Sequence, residues 1–117
     1  MRGVDIHIEE TPQYTLCRPS GELDAYTVGE FREALGGIGE VTALLIDLSD
    51  VPFMDSAGLG ALIGGIRRTR EGGGNVAVAC SRQSLTRLLH TTGFDRIVPV
   101  EESVDEAAAK LADGDDN

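Results

Sequence analysis

The sequence predicts a single α/β domain, with a central mixed sheet of four to five strands flanked by about four helices. Short apolar runs alternate with helix-length amphipathic stretches from residue 14 to residue 98, the order that builds strand–helix–strand crossovers on one sheet. The run Thr42 to Leu48 is apolar almost throughout, as a strand covered on both faces must be. The 117 residues suffice for one core and not for two, and neither an internal repeat nor an interdomain linker divides them.

Each element has a local reason. Val4, Ile6 and Ile8 alternate with polar residues, Thr11-Pro12-Gln13 breaks the run, and Tyr14 to Arg18 resumes it, which predicts a strand pair with one solvated face. Asp24 is placed to cap a helix with Val28, Phe31 and Leu35 on its apolar stripe, ending at Gly36-Gly37. After the strand Thr42–Leu48, a helix is expected from Ser56 to about Arg70, with Leu59, Leu62, Ile63 and Ile66 inward and Gly72-Gly73-Gly74 as its stop. Asn75 to Cys80 reads as a strand and Arg82 to Thr92 as a helix, with Leu85, Leu88 and Leu89 inward and Gly93 as terminator. A short strand at Ile97-Val98 and a helix from Ser103 to Ala112 complete the domain, taken as residues 1–112, and residues 113–117 read as an acidic disordered tail.

Composition narrows the function. No apolar run approaches the roughly 20 residues of a membrane span, and the charged start Met1-Arg2-Gly3-Val4-Asp5 does not resemble an export signal. A cytoplasmic protein is therefore expected. Ten basic residues against twenty acidic ones give a net charge of −10, which disfavours nucleic acid and anionic membranes as partners. Much of the excess lies in Glu101, Glu102, Asp105, Glu106, Asp113, Asp115 and Asp116, opposed in that stretch only by Lys110. Cys17 and Cys80 lie far apart in apolar surroundings and read as reduced core residues.

The segment Asp55-Ser56-Ala57-Gly58-Leu59-Gly60 follows a buried strand and opens a helix. Asp55 suits the cap, yet Gly58, Gly60, Gly64 and Gly65 together forgo on the order of 4 kcal/mol of helix propensity. That cost implies a backbone lying close to a neighbouring element, a partner or a ligand. Ser56 falls in the first turn, where free N–H groups and the helix dipole favour an added phosphate. Gly21-Glu22-Leu23-Asp24 ends the second strand, and if it lies beside the residue 50–55 connection, Asp24 approaches Ser56; otherwise Asp24 only caps its helix. Arg67, Arg68 and Arg70 complement the C-terminal dipole of the same helix.

Enzymatic readings fail on the residues present. A nucleophile elbow around Ser56 would need a small residue at Met54, and neither His7 nor His90 is placed to serve as its base. The glycines at 72–74 lack the lysine of a phosphate-binding loop, and the histidines and cysteines have no second ligand at metal-binding spacing, so no catalytic residue, metal or cofactor is expected.

Three blocks in order, Gly21-Glu22-Leu23-Asp24, then Leu45-Ile46-Asp47-Leu48-Ser49 leading through Phe53-Met54 to Asp55-Ser56-Ala57-Gly58-Leu59-Gly60, then Thr92-Gly93-Phe94-Asp95 with Ile97, resemble the STAS domain of anti-sigma factor antagonists. The resemblance runs from about residue 4 to residue 112. It implies a sheet flanked by helices, no enzymatic activity and a partner-switching role. Ser56 falls on the serine phosphorylated by an anti-sigma factor that is also a serine kinase, a modification reversed by a PPM-type phosphatase. Asp24 falls on the acidic position beside that serine. With Asp55, Ser56, Ala57, Gly58, Leu59 and Gly60 it forms the implied partner-binding set. Ala57 leaves one hydroxyl in the motif, and the acidic tail has no family role. Within the same fold class stands an alternative, a module that senses a nucleotide or other anion noncovalently at the start of the Ser56 helix.

Overall fold

In the computed structural model, which describes residues 3–113, five strands form one sheet in the spatial order β1-β2-β3-β4-β5. β1 (Asp5–Glu10) and β2 (Thr15–Ser20) pair antiparallel, with Ile8 opposite Cys17. Thr11 closes their turn: its hydroxyl accepts the Gln13 and Tyr14 amides at 3.2 and 3.0 Å. β3 (Ala43–Asp47), β4 (Asn75–Ala79) and β5 (Val100–Glu101) each add parallel to the preceding strand, making the sheet mixed as expected.

Alternation of side chains along the central strands divides the interior in two. On one face Cys17, Leu44, Ile46, Val76 and Val78 pack with residues of three helices, α1 (Val28–Ile38), α2 (Ser56–Glu71) and α3 (Gln83–Thr91). Phe31, Leu35, Leu62, Ile66, Leu85 and Leu89 are their buried contributions. On the other face Leu16, Leu45, Ala77 and Ala79 meet Ala107 of α4 (Val104–Ala112), and the small alanines let this helix lie close to the sheet. β3 is thus covered on both sides, which is why its sequence does not alternate. One charged residue on the α4 face is buried: Asp47 accepts Arg18 Nε at 3.1 Å and the Ser49 amide at 3.0 Å.

Three local expectations are corrected. Gly36-Gly37 does not end α1; the helix continues to Ile38, which packs on the core, and stops at Gly39, where φ is +78°. Helical dihedrals are open to glycine, so a partly buried Ile one residue on outweighs the propensity cost. Asp24 does not cap α1 directly, since Thr27 occupies that position. The last strand is Val100–Glu101 and not Ile97-Val98, because Phe94–Arg96 forms a 3-10 turn that exposes Ile97 and buries Val98. Gly93 ends α3 in the left-handed region as expected. Asp113 is the exposed C-cap of α4; the remainder of the expected acidic tail, residues 114–117, lies outside the described residues.

Candidate functional site

The site is built where β2 ends beside the connection from β3 to α2. Gly21 N donates to Asp50 O at 3.1 Å, Leu23 N to Phe53 O at 3.0 Å and Asp55 N to Leu23 O at 3.2 Å, around a parallel bridge between Leu23 and Met54. Buried Leu23, Val51 and Met54 anchor both segments in the core. Residues 21–24 and 50–55 therefore run side by side, which brings the backbone of Asp24 next to the start of α2.

Asp55, extended at φ −106° and ψ −170°, caps α2: its Oδ1 accepts the amides of Ala57 at 2.9 Å and Gly58 at 3.2 Å. Ser56 stands exposed in the first turn, with Ala57 and Leu59 half-buried behind it. Asp24 is buried, and its Oδ1 accepts the amides of Tyr26 at 2.9 Å and Thr27 at 3.1 Å. Thr27 locks the same turn by donating its hydroxyl to Glu22 O at 2.7 Å. The Asp24 carboxylate thus shapes the turn leading into α1 while that turn lies along the Ser56 rim. Ser56 carries a hydroxyl at the positive end of a helix, next in sequence to the capping Asp55 carboxylate, and added phosphate there meets an attractive dipole and a repulsive neighbour together.

The four glycines of α2 divide. A Cβ on Gly58 would lie 2.5 Å from Leu23 O and 2.9 Å from Met54 Cγ, so the close pairing of the two segments requires glycine there. A Cβ on Gly65 would lie 2.7 Å from Leu35 Cδ1 of α1, so glycine lets the two helices pack closely there. A Cβ on Gly60 or Gly64 would have nothing within 4 Å, so a close neighbour within the described chain accounts for only two of the four.

Two aromatic residues beside the motifs escaped the sequence reading. Tyr26 is 90% exposed and Phe53 is 50% exposed, each within three residues of the Leu23–Met54 bridge. The signal was present: both fall outside any periodic stripe, in segments that carry the candidate residues. Arg68 and Arg70 occupy the last turn of α2, some 20 Å along the helix from Ser56. Arg67 and Arg70 line a surface cavity of about 290 Å³ with Ile63, Ile66 and Ile97.

Other candidate chemistry is committed elsewhere. His7 Nε2 lies 3.1 Å from Glu9 and His90 Nδ1 lies 2.8 Å from Asp95. Cys17 and Cys80 are buried free thiols, and burial pushes the Cys17 thiol up to about 11, away from the thiolate form that would react. Among the described residues no group of three or more His, Cys, Asp or Glu could hold a metal ion, and no helix is long and apolar enough to cross a membrane.

A family model described as the STAS domain matches residues 5–107. The chain belongs to the STAS-domain family. The anti-sigma-B factor antagonist of Bacillus subtilis (strain 168) is 30% identical to this STAS domain over 99 residues, covering 84% of this chain and 91% of that protein. The crystal structure of an anti-sigma factor antagonist from Mycobacterium paratuberculosis matches it with a TM-score of 0.86 at 27% identity, over 93% of this chain and 94% of that one. The fold is also that of the anti-sigma factor antagonist SpoIIAA of Bacillus. Its unphosphorylated form matches at TM-score 0.69 and 21% identity over 95% of this chain and 100% of that one. Its phosphorylated form gives 0.68 and 22% over 92% and 99%.

Proposed function

We propose that this STAS domain is a cytoplasmic anti-sigma factor antagonist whose binding is switched off by phosphorylation of Ser56. The observation that carries the reading is the exposed Ser56 hydroxyl, on a helix start capped by Asp55 and braced against the Leu23–Met54 bridge. Residues 1–112 constitute the working domain. Unmodified, the surface of Asp24, Asp55, Ser56, Ala57, Gly58, Leu59 and Gly60 captures an anti-sigma factor and so releases its sigma factor. Gly60, with open space where a side chain would be, lets the partner come close to the helix backbone. The protein acts by binding and supplies no catalytic group of its own.

The partner is itself a serine kinase. Ser56 Oγ attacks the γ-phosphorus of ATP, its proton passes to a base of the kinase, and ADP leaves. The phosphoserine carries about −1.5 to −2 charges into a contact that already holds the Asp55 and Asp24 carboxylates and the partner's nucleotide phosphates. A penalty of about 2.7 kcal/mol lowers affinity roughly a hundredfold, enough to part the complex. A PPM-type phosphatase restores the hydroxyl. The names of the relatives favour this reading over noncovalent anion sensing.

The test uses wild type, Ser56→Ala and Ser56→Asp as baits in lysate of the source organism, with bound proteins and Ser56 phosphate read by mass spectrometry. Wild type and Ser56→Ala are expected to retain an ATP-binding anti-sigma factor that Ser56→Asp does not, with phosphate on wild type alone. Identical recovery by all three baits, with Ser56 unmodified, overturns the proposal.

A further inference from the structure

We infer that Tyr26 and Phe53 are the two anchor residues of the partner interface, and that the surface they enter is a pair of apolar sockets bordered by cations. The inference rests on the antagonist reading of the Ser56 rim and adds to it the chemistry of the partner. Tyr26 and Phe53 are two of only five aromatic residues in the chain, yet they stand 90% and 50% exposed while Phe31 and Phe94 are buried. Both belong to the paired segments that lead to Ser56, so the two exposed rings border the proposed docking surface.

Their backbones are already fixed. The Tyr26 amide donates to the buried Asp24 carboxylate at 2.9 Å, and the Phe53 carbonyl accepts the Leu23 amide at 3.0 Å. Rings carried on a locked backbone have two side-chain torsions left to lose, so they bind at low entropic cost, and aromatic side chains of this kind dominate the energetics of protein interfaces. The outward turn at Tyr26 is held by Asp24 and Thr27, which assigns those buried polar residues the task of aiming the ring.

Charge sets the rest of the partner's chemistry. Residues 20–27 and 49–60 carry Glu22, Asp24, Asp50 and Asp55 against one cation that reaches them, Arg82, whose Nε donates to Ser49 O at 2.9 Å, so the net acidic rim calls for a complementary surface that is cationic around its sockets. A protein that transfers a phosphoryl group has cations of that kind around its nucleotide.

Isothermal titration calorimetry provides the test, with the full-length chain titrated into the ATP-binding anti-sigma factor retained by Ser56→Ala, in the presence of ADP. Tyr26→Ala and Phe53→Ala are each expected to weaken binding at least tenfold, and Tyr26→Phe less than threefold. Affinity should also fall with added salt. The melting temperature of Tyr26→Ala should equal that of wild type; Phe53→Leu, which keeps an apolar side chain, serves as the folded control at the other position. Wild-type affinity in both alanine variants, with binding still lost in Ser56→Asp, overturns the anchors and leaves the antagonist reading standing. Loss in the alanine variants with Ser56→Asp binding like wild type supports the anchors and overturns the switch. Absence of any such factor that binds wild type overturns both.

Discussion

Alanine at Gly58 and at Gly60, two residues apart on α2, should change stability in opposite directions. Each substitution gains about 1 kcal/mol of intrinsic helix propensity. At Gly60 nothing lies within 4 Å of the new methyl, so that gain is realised, and the melting temperature should rise by up to about 4 °C for a chain of this size. At Gly58 the methyl would stand 2.5 Å from Leu23 O, a backbone atom that accepts the Asp55 amide and cannot retreat without opening the Leu23–Met54 pairing. Overpacking of this kind costs about 1–3 kcal/mol, and disruption of the Asp55 cap adds to it, so a net loss of roughly 1–3 kcal/mol is expected. Urea unfolding of wild type and both variants, with the denaturant slope held as a check on two-state behaviour, reads the difference directly. Equal destabilisation by the two alanines, or a neutral Gly58→Ala, would refute the division of the motif glycines into one that the fold needs and one that it does not. If Gly60 is kept open for the partner, Gly60→Ala should gain stability and lose affinity for the anti-sigma factor in the same preparation.

Asp55→Ala removes two hydrogen bonds to the first turn of α2 and should cost about 1–2 kcal/mol by thermal unfolding, whereas Asp55→Asn, which keeps an acceptor, should cost less. Burial of Cys17 raises its thiol from about 9 to about 11, so the folded protein holds the proton while the unfolded chain releases it. Stability from this residue is complete below pH 9 and is lost as pH rises towards 11, by up to about 2–3 kcal/mol. Urea midpoints at pH 8 and pH 10.5 should therefore fall more steeply for wild type than for Cys17→Ala, and parallel slopes would count against the burial argument.

The central sheet was legible because β3 and β4 are short apolar runs between helix-length stretches, and periodicity marks such elements strongly. What escaped was decided by contacts between distant residues. Ile97-Val98 has the composition of a strand, but pairing with β4 falls two to three residues later, after the 3-10 turn has exposed Ile97. Gly36-Gly37 has the composition of a stop, but Ile38 finds the core beyond it. Asp24 was legible as a capping residue and not as the cap of a separate turn, since that depends on Thr27 bonding back to Glu22. At the candidate site, Asp55 and Ser56 were placed by the strand-to-helix transition alone. The pairing of the Asp24 segment with theirs was open in the sequence and is settled by the bonds from Leu23 to Phe53 and Asp55. Tyr26 and Phe53 were missed because exposure in a connection leaves no periodic trace.

The most direct measurement compares calorimetric affinities of the unmodified and the Ser56-phosphorylated protein for the same nucleotide-bound anti-sigma factor. The account predicts that phosphate on Ser56 weakens binding about a hundredfold or more with the fold unchanged; equal affinity of the two forms would contradict it.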